Sequence, residues 1–299
     1  MIISASRRTD IPAFYGEWFR GRLDAGFFDR VNPYNPRQVG RISLAPENVD
    51  CFVFWTKDPA PFFEILKYLN TRNYKYYFQF TLNDYPGLFE PGLPPVEKRV
   101  ETMKRLSDIA GPDRIVWRYD PIIISGATGP QYHIEKFGRL CEAIADNVER
   151  AVVSFMVHYK KVRRALETIE LKRGVRFIDA ALPENASPLN ETAAGLARVA
   201  KGFGVPLYSC CAPPEIEKHG IHPAACIDGS LIKKIFNIEK DFKKDKSQRE
   251  DCLCVESADM GVYDTCPHGC VYCYATLNQA RAAENLRKHS ASAPSLMRH

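Results

Sequence analysis

The chain has 299 residues, 45% of them hydrophobic and 26% charged, with a net charge of +5. That is the balance of a globular protein with material for one large domain or two smaller ones, and it argues against extensive disorder. The small, spread-out positive excess says little for a polyanionic partner, and even the densest basic run, Lys240 to Lys246, is interrupted by Asp241 and Asp245.

Strand-like and helix-like runs alternate along the chain. Ile2 to Ser6 reads as a strand. A helix follows, with Asp10 as N-cap, Pro12 in its first turn, Gly26 near its end, and Phe14, Trp18, Phe19 and Leu23 on one face. The run CFVFW (Cys51 to Trp55) precedes a helix that begins near Asp58 and carries Phe62, Phe63, Leu66 and Leu69. YYFQFTL (Tyr76 to Leu82) precedes one with Val96, Val100, Met103 and Leu106. RIVWRY (Arg114 to Tyr119) precedes one with Ile134, Phe137, Cys141 and Ile144, and AVVSFMV (Ala151 to Val157) one with Val162, Leu166 and Ile169. Asn190 to Phe203 reads as helix and VPLYSC (Val205 to Cys210) as strand. Such alternation, in units of roughly 30–50 residues, implies parallel strands with helices packed outside. The expected fold is α/β, a partial or complete (β/α) TIM-like barrel. No glycine-rich dinucleotide fingerprint follows the first strand, which counts against a Rossmann sheet.

In such barrels the active site lies at the C-terminal ends of the strands. Here those ends carry Arg7, Arg8 and Asp10; Lys57; Gln79; and Arg118 with Asp120. These are the candidate catalytic or substrate-binding residues. Gln79 and Arg118 stand inside otherwise apolar runs, so each needs a partner or a ligand. The arginines suit phosphate or carboxylate groups, or a salt bridge with Asp10 or Asp120.

No apolar run approaches the ~18 residues that span a bilayer. The opening MIISASRRTDIP lacks the charged-then-apolar order of a signal peptide. The expectation is a cytoplasmic protein with no membrane partner, and its ten cysteines are then not a disulfide framework. Eight of the ten follow residue 209, and such clustering favours a metal or redox site. The stretch YDTCPHGCVYCYA sets Cys266, Cys270 and Cys273 in C-x3-C-x2-C spacing. Loops of this kind supply thiolates to iron–sulfur clusters, and three ligands to a four-iron cluster leave one iron open for a small molecule. A zinc site with His268 or a distant cysteine as fourth ligand is the alternative, although His268 is only two residues from both Cys266 and Cys270. Cys211, Cys226, Cys252 and Cys254 form a candidate second site for an iron–sulfur cluster, with zinc as the alternative, in which Cys210 competes with Cys211. Cys51 and Cys141 read as buried apolar thiols.

The cysteine stretch resembles the cluster loop of the radical S-adenosylmethionine (SAM) superfamily, with Tyr272 before the third cysteine where those enzymes place an aromatic against the adenine. The resemblance implies a four-iron cluster, SAM as cofactor, a 5′-deoxyadenosyl radical, and an electron donor such as flavodoxin or ferredoxin. It leaves the substrate open as a small molecule or nucleotide-like group. In most of that superfamily the loop follows the first barrel strand. Here it lies near the C-terminus, which implies a circular permutation, with residues 1–210 as barrel body and a cysteine-rich segment, residues 211–299, completing it. Ile2 to Ser6 would then lie beside the cluster strand, which would put Ser4 to Asp10, with Ser6 as the cofactor-binding candidate, beside the SAM methionyl group. Over nearly its whole length the chain also resembles a bacterial family of unknown function, DUF1848, through SRRTDIPAFYGEWF, FVFWTKDP, YFQFTLNDY, VWRYDPI, CIDG and QREDCLCVESADMGVYDTCPHGCVYCYA. Two readings compete with the radical enzyme: a non-catalytic iron–sulfur or zinc-binding redox or binding protein, and, more narrowly, a nucleic-acid modification or repair enzyme.

Overall fold

The computed structural model describes residues 1–32, 35–180 and 182–297, apart from the side chains of Pro36, Lys160 and Lys161. Arg298 and His299, the end of the expected C-terminal segment, lie outside that range. Among the described residues twelve strands are formed: β1 (Ile2–Ala5), β2 (Phe27–Asn32), β3 (Asn35–Ser43), β4 (Cys51–Thr56), β5 (Tyr76–Thr81), β6 (Ile115–Ile122), β7 (Ile124–Ser125), β8 (Arg150–Phe155), β9 (Phe177–Ile178), β10 (Leu207–Ser209), β11 (His222–Pro223) and β12 (Ala258–Asp259). The α-helices are α1 (Ile11–Phe14), α2 (Gly16–Ala25), α3 (Phe63–Thr71), α4 (Val96–Ala110), α5 (Pro130–Ile144), α6 (Lys160–Arg173), α7 (Ala186–Gly202), α8 (Gly229–Phe236) and α9 (Gln279–Lys288).

Eight strands make one parallel sheet in the order β11-β10-β8-β6-β5-β4-β1-β12. The pairing expected between Ile2 to Ser6 and the strand leading to Cys266 is present: Ile3 pairs with Ala258 and Ser4 with Asp259, in parallel. Among the described residues β11 and β12 are the sheet's two edges and do not pair with each other. Among the described residues the sheet is thus open, and closure into a complete barrel is not shown.

Both faces of the sheet are covered, which is why its central strands read as almost unbroken apolar runs. Alternate residues split cleanly between the faces. Phe52 and Phe54, Tyr76 and Phe78, Ile115 and Trp117, and Ala151 and Val153 face the layer of α2, α3, α4, α5 and α7. Cys51, Val53, Tyr77, Val116 and Val152 face the opposite way, onto α8 and the chain from Ala225 to Val255. Gln79 and Arg118 continue this second series, and both meet Cys226 there.

The first helix differs from expectation by a break. Asp10 caps α1 by accepting from the Ala13 N–H at 3.0 Å, but the chain interrupts at Tyr15 before α2 starts at Gly16. Gly26 ends α2 in the left-handed conformation, with φ of 77°, that glycine adopts at least cost. The antiparallel pair β2–β3 between α2 and β4 had no counterpart in the sequence reading.

Candidate functional site

The cysteine loop is positioned from β12, whose Asp259 carboxylate gathers four donors: the Ser4 hydroxyl at 2.8 Å, the Ser6 hydroxyl at 2.6 Å, and the Arg7 and Gly261 N–H groups at 3.2 and 2.8 Å. One short side chain thus clamps the C-terminal ends of β1 and β12 together. Replacing Asp259 by alanine strands these donors, and an expected loss of about 2–3 kcal/mol follows from hydrogen bonds to a charged group. Denaturant unfolding measures it.

Beyond β12 the loop is stitched to neighbours on two sides. The Tyr15 hydroxyl donates to the Thr265 carbonyl at 2.6 Å, and His268 Nε2 donates to Asp10 Oδ2 at 2.9 Å. On the other side the Gly92 N–H reaches the His268 carbonyl at 3.0 Å and the Val271 N–H the Phe89 carbonyl at 3.1 Å. The Gly92 approach is backbone on backbone: a Cβ there would stand 2.4 Å from the His268 oxygen. Gly92→Ala is expected to push the loop off this contact at about 1–3 kcal/mol, with faster amide exchange across residues 266–273. Unchanged exchange there would refute the close approach.

Within the loop, Cys266 lies in the electrostatic field of Cys273 and Cys270, so the three thiols are neighbours. Burial first, and the Asp10 charge next, push the Cys266 thiol well above its ordinary value. Burial pushes Cys270 up to about 12, with Lys57 pulling the other way. The Thr276 N–H donates to Cys273 Sγ at 3.3 Å. Thiol donors on one short loop, with a backbone N–H already on one sulfur, match iron–sulfur ligation in chemistry. They are not pre-arranged for it: among the described residues no group of three or more His, Cys, Asp and Glu side chains is set to hold a metal ion.

Behind Cys270 lies a buried ionic network. Lys57 Nζ donates to Glu90 Oε1 at 2.8 Å and to the Tyr272 hydroxyl at 2.9 Å, and the Tyr272 hydroxyl donates to Glu90. Arg99 Nη1 stands 3.6 Å from Glu90 Oε2. Burial alone would raise the Glu90 carboxyl, yet Lys57 and Arg99 outweigh it and hold the pKa below its ordinary value. Burial likewise opposes the charge on Lys57, and Glu90 and then Cys270 more than restore it.

The second cysteine set is brought together, with both contenders included. Cys210 Sγ and Cys226 Sγ are 3.1 Å apart. Cys226 is also within interaction reach of Cys254, Cys254 of Cys252, Cys252 of Cys211, and Cys211 of Cys210, so the five thiols follow one another in a ring.

The candidate catalytic residues divide between these two groups. Asp10 and Lys57 belong to the cysteine loop's surroundings. Arg118 and Gln79 belong to the ring: Arg118 Nε donates to Asp120 Oδ2 at 3.0 Å and its Nη1 to Cys226 Sγ at 3.2 Å, while Gln79 Nε2 donates to the Cys226 carbonyl at 2.7 Å. Asp120 also accepts from the Ser154 hydroxyl. Arg7 lies between the groups, 3.8 Å from Asp245 and within the fields of Asp259, Cys254 and Cys226. Arg8 stacks 5.2 Å over the Tyr263 ring, and Ser6 is engaged by Asp259 and the Arg8 N–H. Tyr272 is buried, with its hydroxyl in the Glu90 network. Glu90, Arg99 and Asp259 were missed by the sequence reading. Glu90 stands in a loop, LFEPGLPP, with no periodicity to flag it, and Asp259 in a two-residue strand.

A family model described as a domain of unknown function, DUF1848, matches residues 2–275. The chain belongs to the DUF1848 family. Searches among curated proteins and among solved structures give no match. No helix among the described residues of this DUF1848 chain is long and apolar enough to cross a membrane.

Proposed function

We propose that this DUF1848 protein is a radical SAM enzyme built on a partial (β/α) barrel in circularly permuted order. The observation that carries the reading is the place of the C-x3-C-x2-C loop: it leaves β12 at the C-terminal end of a parallel sheet, beside β1, where α/β enzymes hold their reacting groups. The strand order supports the permutation. Moving β12 ahead of β1 makes the sheet run consecutively through its eight strands, with the cysteine loop after the first.

In this reading Cys266, Cys270 and Cys273 hold a four-iron cluster. Held there, such a cluster would supply the one electron that reductive cleavage of a SAM carbon–sulfur bond needs, with methionine as co-product of the 5′-deoxyadenosyl group. The chain's own groups set the scene for that step. Asp10 orients His268 and with it the backbone between the first two cysteines. Lys57 places a buried positive charge near Cys270, opposing the negative charge of a ligated thiolate. Tyr85, Phe89 and Tyr272 pack an apolar wall behind the loop, which limits water.

The test is anaerobic reconstitution with ferrous iron and sulfide, reduction with dithionite, and an assay for 5′-deoxyadenosine. Its formation from SAM is the expected result. A loaded cluster that leaves SAM intact would overturn the enzyme reading and favour a redox or binding protein.

A further inference from the structure

We infer that the ring formed by Cys210, Cys211, Cys226, Cys252 and Cys254 is a second metal centre, which takes a thiolate-bound iron–sulfur cluster independently of the Cys266–Cys273 loop. The five sulfurs come from three separate stretches of chain, the end of β10, the CIDG motif before α8, and the CLC stretch before β12; Cys210 and Cys226 Sγ stand 3.1 Å apart, and each thiol is within interaction reach of two others. All five are free thiols. Five thiols drawn together with no disulfide between them are the soft donor set an iron–sulfur cluster takes, although among the described residues they are not already arranged around a metal ion.

The local spacings oppose a mononuclear zinc knuckle. Such knuckles separate their cysteines by two to four residues; here the pairs are the adjacent Cys210 and Cys211, and Cys252 and Cys254 with one residue between them. With Cys210 and Cys226 Sγ only 3.1 Å apart, these sulfurs must move apart to accept a polynuclear cluster.

The surroundings are those of an anionic thiolate group. Arg118 Nη1 donates to Cys226 Sγ, and the Ile227 N–H to Cys254 Sγ at 3.4 Å. Hydrogen bonds of this type to cluster sulfurs are a principal means of tuning iron–sulfur centres. Three guanidinium groups, Arg7, Arg118 and Arg249, lie in the field of the ring thiols. A buried cluster with its thiolates carries net negative charge, and nearby fixed cations offset the cost of burying it. Cys226 is also held from two strands. Tyr77 and Gln79 of β5 both donate to its carbonyl at 2.7 Å, while Arg118 of β6 takes its sulfur. One of the five thiols is thus fixed at both its backbone and its sulfur. The Tyr274 phenol lies in the field of both Cys273 and Cys226, so the two cysteine groups are neighbours.

The experiment uses the whole chain with Cys266, Cys270 and Cys273 changed to alanine, reconstituted anaerobically with ferrous iron and sulfide. The expected result is about four irons and four sulfides per chain, half the wild-type content of about eight, with a cluster signal in Mössbauer spectra. In the loaded variant the ring thiols should resist alkylation and become reactive when the cluster is stripped, a readout that needs no change within the ring. Absence of iron in this variant, or one zinc per chain in its place, overturns the proposal. The outcomes separate the two sites: four irons in the wild type and none in the variant leave the ring empty and the loop occupied, whereas four in both empty the loop and keep the ring.

Discussion

Changing Cys266, Cys270 and Cys273 together to alanine is expected to remove 5′-deoxyadenosine formation by roughly a thousand-fold or more, equivalent to over ~4 kcal/mol in the barrier, while the sheet stays folded. The size follows from the chemistry: without the loop cluster no open iron holds SAM against its electron source, and a ring cluster held wholly by cysteines offers no such iron. The fold is expected to survive because the loop is anchored through other atoms. Tyr15 holds the Thr265 carbonyl, Asp10 the His268 ring, and Phe89 and Gly92 the loop backbone. Far-ultraviolet circular dichroism and the thermal midpoint of the metal-free variant, set against metal-free wild type, separate lost chemistry from lost structure. Undiminished 5′-deoxyadenosine in the triple variant would end the assignment of these three cysteines.

Glu90→Ala is expected to cost about 3–5 kcal/mol of stability, the range for removing one partner of a buried ionic pair. Glu90 and its cations are almost fully enclosed: side-chain exposure is 2% for Glu90, 15% for Lys57 and 4% for Arg99. The variant leaves two cations facing each other without their shared carboxylate, and Tyr272 without its acceptor. Acid should reproduce part of the effect in the wild type. Because Lys57 and Arg99 hold the folded-state pKa of Glu90 below its ordinary 4.5, the stabilisation is complete above that value and is lost as the pH falls through the folded-state pKa. Stability of the wild type should therefore fall more steeply below about pH 4.5 than that of Glu90→Ala. Urea midpoints measured from pH 3 to 7 on both proteins test this, and parallel pH profiles would show that the network does not carry the charge described.

Much of the scaffold was legible from sequence because its determinants are local. Alternation of apolar strands with amphipathic helices gave the parallel α/β arrangement, Asp10 and Gly26 marked helix ends, and C-x3-C-x2-C spacing marked the loop without any tertiary information. The apolar runs around Gln79 and Arg118 also showed that each needed a partner, though not which one.

The partners were decided by tertiary structure, because they are remote in the chain and carry no shared pattern. Lys57 meets Tyr272 across 215 residues, His268 meets Asp10 across 258, and Ser4 meets Asp259 across 255. Strand β12 has only two residues, too few to show a period, and it exists because β1 offers it a parallel edge and Asp259 closes the joint. The choice between Cys210 and Cys211 was undecidable from order alone. Adjacent residues at the end of a strand are equivalent in sequence, and only the fold, by carrying Cys226 to one and Cys252 to the other, places both in the ring.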